Sequence, residues 1–313
     1  MKPECSIIIR AFNEADHIGR LLNGISQQTV KSIQVILVDS GSTDQTVEIA
    51  RQHGAEIVSI SPQEFTFGRS LNAGIRQARA ELILIASAHI YPVYPDWIGR
   101  MLAPFADEKV ALVYGKQRGV AASQFSEQQI FTHWYPDESR QPQDHPFCNN
   151  ANAAIRKSFW QAHTYDESLP GLEDLEWAQW SFDQGYKIAY RAEAEIIHVH
   201  SESWRGIHKR YTREGMAFKQ IYPHERFGID DLVRLFLTNT LNDLREAVRQ
   251  RVFWRQLGSI LRFRWLQFHG TYQGYKRSGP LTWQLKQSFY YPRENGKQPE
   301  KVTPRDVKPI AYD

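Results

Sequence analysis

The sequence predicts an α/β protein: a mainly parallel central sheet flanked by helices, followed by a C-terminal helical extension. Short β-branched apolar runs alternate with helical patterns as far as residue 114, the order that builds strand–helix–strand units and a parallel sheet. The first two segments, SIIIRAFNEADHIGRLL from Ser6 and IQVILVDSGSTDQTVEIA from Ile33, turn from apolar to acidic or amide side chains before the helical pattern begins. Ligands of such sheets sit beyond the C-terminal strand ends, so Asn13, Glu14 and Asp39 would line a small-molecule site. Past Trp204 the strand signals stop and long helical patterns take over.

Strand signals fall at 5–10, 34–39, 56–60, 81–86 and 110–114, with helical patterns between them at 15–28, 43–53, 69–79 and 95–105. In the DSGSTD turn that follows the second strand, Ser42, Thr43 or Asp44 suits a helix N-cap. A carboxylate at Asp39 suits a nucleobase N–H or a ribose hydroxyl, and equally suits capping. Residues 121–150 are polar and rich in Gln, Pro and His, which reads as a long functional loop. A strand at 151–156, helices near 157–163 and 173–184, and strands at 187–190 and 195–200 follow. Helical patterns then cover 204–220, 230–249 and 252–276. The polar, proline-bearing stretch from 291 onward reads as a frayed tail. The expected division is an α/β domain over 1–220, an amphipathic helical extension over 221–290 and a tail over 291–313.

Composition narrows the function classes. A chain of 313 residues can bury one good core with a smaller appendage, and its formal net charge of +3 does not argue for a nucleic-acid binder. Cys5 and Cys148 are too far apart in pattern for a disulfide framework or a zinc spacing. The N-terminus has no apolar signal region and no apolar run approaches a membrane span, so a cytoplasmic location is expected. A dinucleotide site needs glycines straight after the first strand. RAFNEADH has none, which disfavours a nicotinamide- or flavin-dependent oxidoreductase.

The segments SIIIRAFNEADHI, VDSGSTDQT, FTFGRSLNAG, Asn149–Arg156, GLEDLEWAQW and IIHVHSESW occur in one order that resembles a family 2 glycosyltransferase with the GT-A fold, over roughly residues 3–215. The FGRSLNAG variant is similar to a branch holding bacterial rhamnosyltransferases and related surface-polysaccharide enzymes. The resemblance implies transfer of a sugar from a nucleotide donor to an acceptor hydroxyl, with inversion at the anomeric carbon. It implies that Ala11, Asn13 and Glu14 meet the nucleobase and ribose, and that Asp39 binds the base. Arg69 matches a basic residue near the donor diphosphate, and Asn72 follows on the same helix. Asp174 matches the catalytic base, with Glu173 in support. The chemistry agrees, because a single displacement needs one base for the acceptor proton and a stabiliser for the leaving diphosphate. The bland reading of Glu173 and Asp174 is an electrostatically favoured helix start.

One departure bears on metal use. The family usually carries an acidic D-x-D-type motif at the end of the fourth core strand, whereas this chain has Ser87-Ala88-His89 and no carboxylate until Asp96. His89 with His198 or His200 could hold a manganese or magnesium ion, and positions 198 and 200 share a face in a strand. Alternatively, cations among Arg69, Arg205, Lys209, Arg210 and Arg213 replace the metal, with Arg210 and Arg213 stabilising the diphosphate. Metal-independent transfer, with Ser87 and His89 against the donor, is the preferred expectation.

The HPFCNNAN segment offers Asn149, Asn150 and Asn152 to sugar hydroxyls, since amides both donate and accept. Trp134 could stack on an acceptor ring. The expected partners are a nucleotide sugar and a glycan or lipid-linked acceptor, with no nucleic acid. Residues 252–277 mix Trp, Phe and Tyr with Arg and Lys, like a helix lying peripherally on a membrane; packing on the α/β domain or on a dimer partner fits as well. The rival function is a catalytically inactive relative that binds sugar nucleotide or polysaccharide as an assembly subunit.

Overall fold

The apolar run Cys5–Ala11 (β1) becomes the middle of the sheet because its side chains are buried on both faces, as expected for a strand covered on both sides. It pairs in parallel with Ile33–Asp39 (β2), which sets Ala11 opposite Asp39. Glu56–Ser59 (β3) adds beyond β2, and Leu82–Ser87 (β4) lies on the other flank of β1, again in parallel. Helices Ala15–Ser26 (α1), Thr46–Gln52 (α2) and Phe67–Gln77 (α3) connect these strands. The computed structural model describes residues 2–120, 123–199, 202–277 and 307–312.

The second half of the sheet is mixed. Ile90–Pro92 (β5) is followed by Trp97–Leu102 (α4), a 3-10 turn at Ala103–Ala106, and Val110–Gly119 (β6). Phe125–Trp134 (α5), Asn152–Arg156 (β7), Lys157–Ala162 (α6), Glu173–Asp183 (α7) and Lys187–His198 (β8) complete the α/β part. The strand order is β3-β2-β1-β4-β7-β6-β8-β5. β7 runs antiparallel to both β4 and β6, and β6 is parallel to β8. Because β7 is reversed, its first residues meet the C-terminal end of β4, where Ser87 N donates to Ala151 O. The segment before β7 is thereby brought to the ligand-binding edge.

Asn152 does not point to an acceptor, as its amide pattern had predicted. It is fully buried and knits the mixed sheet: Nδ2 donates to the carbonyls of Lys116 (3.2 Å) and Ala194 (2.9 Å), and Oδ1 accepts from the Trp97 indole at 2.9 Å. A buried amide must be satisfied, and here three elements satisfy it. Gly115 is required beside it, since a Cβ there would collide with the Ala194 carbonyl.

Three further expectations change. The predicted loop over 121–150 contains α5, which lacks a regular apolar stripe; Phe125, Ile130 and Phe131 pack into three different apolar clusters, and polar ties such as Ser259 to Gln124 and Arg210 to Glu127 add to them. The two strands expected at 187–190 and 195–200 are the single β8, carried past an irregularity opposite Gly115–Gln117. The end of the tail is not frayed. Ile310 N donates to Val93 O, and the Tyr312 ring packs edge-on against Tyr91 at 5.0 Å.

The C-terminal layer is Trp204–Ile221 (α8), Ile229–Arg249 (α9) and Phe253–Lys276 (α10). Gly274 lets α10 press on α8, because a Cβ would strike the Thr212 carbonyl. α9 and α10 are joined by a buried two-pronged pair in which Arg264 Nε and an Nη donate to the Asp243 oxygens at 2.7 and 2.8 Å. Removing one member of a buried pair strands the other charge. Asp243→Ala is therefore expected to cost about 3–5 kcal/mol in urea unfolding, whereas the double variant Asp243→Leu/Arg264→Met should recover most of it.

Candidate active site

The C-terminal ends of β1, β2 and β4 build one side of the candidate site. Asn13 adopts φ of 53°, a left-handed conformation that Asn tolerates, and its Oδ1 accepts from Thr43 N at 2.8 Å. Asp39 is buried, and its carboxylate accepts from the backbone of Gly41 and Ser42 at 3.1–3.2 Å, which folds the turn. Asp44 receives Ala15 N and the Thr46 N–H and hydroxyl; burial works against its charged form, but these bonds hold its carboxyl below the usual range. Ala11 contributes its carbonyl, which accepts from Ser40 N. Glu14 reaches across to the turn after β4, where its Oε1 lies 2.8 Å from His89 Nδ1.

The second side is the start of α7. Leu172, immediately before it, has φ of 55°, a strained value for a branched residue that costs about 1–3 kcal/mol and persists only where the surroundings enforce it. Glu173 is buried; its Oε1 lies 3.3 Å from the Arg10 guanidinium and accepts from Asn150 Nδ2 at 3.4 Å. Asp174 Oδ2 accepts from Asn150 N at 3.1 Å and Oδ1 from Leu175 N at 2.9 Å. Burial, and then the charge of Glu173, push the Asp174 carboxyl up to about 7, against the two backbone bonds and Arg10. A proton acceptor poised near neutrality is what general-base chemistry needs.

Other predicted residues have different surroundings. The Asn150 side chain is buried, with its amide on Glu173 and its oxygen accepting from the Tyr165 hydroxyl, so it holds the carboxylates and is closed to an acceptor sugar. Asn149 is half-buried and its Oδ1 accepts from Gln117 Nε2 and Ala151 N. Asn72 is buried and consumed: its amide donates to Tyr165 O and Glu167, and its oxygen accepts from the Trp160 indole and Tyr165 N. Arg69 Nε pairs with Glu167 at 2.9 Å. FTFGRSLNAG thus clamps the 165–167 stretch that leads into α7. Arg210 is tied to Glu127 and Glu202 at 2.7 and 2.8 Å, away from the carboxylate pair. Arg213 does reach the site: its guanidinium lies 4.9 Å from the centre of the Phe67 ring.

Arg10 is the residue that sequence reasoning missed. Its guanidinium lies 4.6 Å from the same Phe67 ring, and its Nε has no hydrogen-bond partner among the described residues. The signal was available, since an arginine in an apolar strand needs a buried partner or a ligand. Trp134 is 42 % exposed and its ring stacks on Phe147 at 4.4 Å, beside the 147–150 segment.

Two of the three histidines considered as metal ligands are engaged by other side chains. His89 Nδ1 faces Glu14, its Nε2 lies 3.1 Å from Ser87 Oγ, and His198 Nδ1 is engaged by Gln117 Oε1 at 2.8 Å. The two rings stack at 5.1 Å, which sets them as neighbours in a network rather than as convergent ligands. His200 lies outside the described residues. Among the described residues no group of three or more His, Cys, Asp or Glu side chains is disposed to hold a cation. Burial works against charge on His89, but the Glu14 carboxylate outweighs it and raises the imidazole's pKa. A separate cavity of about 890 Å³ lies along α7, bordered by Glu167, Glu176, Trp180 and Gln220, and none of the predicted site residues lines it.

Residues 6–163 match the family model described as glycosyl transferase family 2. The chain belongs to that family. The transferase is similar to O-antigen chain rhamnosyltransferase RfbN of Salmonella typhimurium, at 27 % identity over 67 % of this chain and 71 % of the relative. It is also similar to glycosyltransferase AglE of Haloferax volcanii, at 25 % identity over 75 % and 79 %. Its fold matches the mannosyltransferase PcManGT of Pyrobaculum calidifontis, solved with GDP-Man and Mn2+, with a TM-score of 0.61, 16 % identity and coverage of 87 % and 86 %. The fold is therefore the GT-A fold, and the protein is a glycosyltransferase.

The raised Asp174 carboxyl has a consequence for the transferase's stability. Its folded value lies above the ordinary one, so folding favours the protonated acid. That contribution is whole below about pH 4 and is lost as the pH rises through about 7. Asp174→Asn carries no charge at any pH. Urea midpoints of the variant and wild type should be similar near about pH 4 and separate in the variant's favour by about pH 8.

Proposed function

We propose that the protein is an inverting glycosyltransferase that moves a sugar from a nucleoside diphosphate donor to an acceptor hydroxyl in cell-surface polysaccharide or glycolipid assembly. The observation that carries this reading is Asp174, a carboxylate raised to about 7 and held by Asn150 and Leu175 beside the arginine-flanked Phe67. The nucleobase and ribose would lie along Ala11, Asn13 and Asp39, with Ser87 and His89 against the sugar or phosphate. Asp174 takes the acceptor O–H proton as that oxygen attacks the anomeric carbon. The bond from that carbon to the diphosphate oxygen breaks, and the nucleoside diphosphate leaves with its electron pair. Arg10 and Arg213 supply positive charge to the leaving group, and the His89 imidazole, oriented by Glu14, offers it a hydrogen bond.

The O-antigen rhamnosyltransferase relatives support a deoxyhexosyl donor and a growing glycan, free or lipid-linked, as acceptor. Trp134 on Phe147 offers that acceptor an aromatic face. The inactive-subunit reading gives no reason for a proton acceptor tuned near neutrality.

The test is nucleoside diphosphate release by purified protein from UDP-, GDP- and dTDP-sugars with a glycan acceptor. Asp174→Asn should lower turnover by about 10²–10⁴-fold while donor affinity is retained. In wild type, kcat/KM should climb with pH and level off above about 7. Loss of donor binding in Asp174→Asn, or a pH-independent rate, would sink the assignment. Release should also persist in excess chelator and fall in His89→Gln; strict dependence on manganese would instead return the histidines to a ligand role.

A further inference from the structure

Ten large apolar side chains stand exposed among the described residues, and eight of them belong to α9 and α10. On α9, Ile229, Val233, Leu237 and Leu241 recur at every fourth residue and make one ridge. On α10, Trp254, Leu261 and Trp265 follow at intervals of seven and four, which keeps them on one side. Phe236 meets Trp265 edge-on with ring centroids 5.9 Å apart, so the two ridges join in one surface. Trp254 is 86 % exposed. The sequence had pointed to 252–277 alone; the structure gives the larger apolar share to α9.

Charge identifies the occupant. Residues 229–277 carry nine Arg and Lys against four Asp and Glu, whereas the whole chain has a net charge of only +3. The positive charge is therefore concentrated on this helical pair and the remainder is net acidic. Arg234 flanks the α9 ridge, Arg245 and Arg249 continue its row, and Arg255 and Arg262 flank the α10 ridge, all exposed. A second copy is a poor fit, because two-fold self-pairing would set arginine flanks against the same flanks. No helix among the described residues is long and apolar enough to cross a membrane. We infer that the joined face of α9 and α10 lies in the interface plane of an anionic lipid bilayer. Its indoles and leucines enter the headgroup boundary, and its arginines meet lipid phosphates. This inference stands apart from the catalytic assignment.

The experiment is flotation of the full chain with phosphatidylcholine vesicles, with and without phosphatidylglycerol. Wild type should float with the anionic vesicles and stay behind with the neutral ones. The triple variant Leu237→Ser/Leu241→Ser/Trp254→Ser removes exposed side chains only and should lose about tenfold or more of its partition, with melting and circular dichroism unchanged. Arg249→Gln/Arg255→Gln tests the charges on an intact apolar face and should lose about fivefold per arginine. Phe182→Ser, an exposed aromatic on α7, should bind as wild type does. Equal partition to both vesicle types, no flotation of wild type, or undiminished binding of the triple variant would each overturn the inference. So would light scattering that shows a wild-type dimer which the triple variant dissolves and which does not float, since the face would then belong to a second copy.

Discussion

The contact between Arg10 and Glu173 joins the last turn of the central strand to the first residue of α7, some 160 positions later in the chain. Much of the site's geometry follows from it. A half-buried guanidinium facing a buried carboxylate is worth little against two apolar residues, but neither partner readily tolerates losing the other. The pair therefore fixes where α7 begins. The left-handed Leu172 stands immediately before that first residue. Burial raises the neighbouring Asp174 carboxyl most, the charge of Glu173 adds to the rise, and Arg10 works against it.

Around that tie the polar motifs divide their labour unexpectedly. Asn72, Asn150 and Asn152 have the chemistry of sugar-binding amides, yet each is buried with its hydrogen-bonding groups committed to the protein. Asn152 ties together β7, α4, β6 and β8, Asn72 clamps the approach to α7, and Asn150 seats both carboxylates. The same logic governs Arg69 and Glu167. Satisfied buried networks of this kind cost little and specify one arrangement.

The helical layer is coupled to this arrangement through α8. One part of α8 carries Arg213 to Phe67, and its glycine-lined face packs on α10. Arg210 on the same helix anchors α5, whose far end bears Trp134. A surface that seats α9 and α10 would therefore hold Trp134 and Arg213 in one frame.

The sequence alone determined the strand–helix alternation, the parallel core and the family, because period-2 and period-3.6 apolar patterns and local turn chemistry are properties of neighbouring residues. It also marked Asp39, Asp174 and His89 as chemistry-bearing groups, since their motifs are contiguous. The reversal of β7, the helix α5 and the docking of Ile310 on Val93 were decided only in three dimensions. Each depends on partners dozens to hundreds of residues away, and α5 has no apolar stripe to announce it. The same reason separates the amides that hold the fold from those that could touch a ligand. Arg10 appeared in the sequence as one charge in an apolar run, and only folding brought Glu173 and Phe67 to it. A side chain's chemistry is written in its identity, but its availability depends on what the fold places within hydrogen-bond reach.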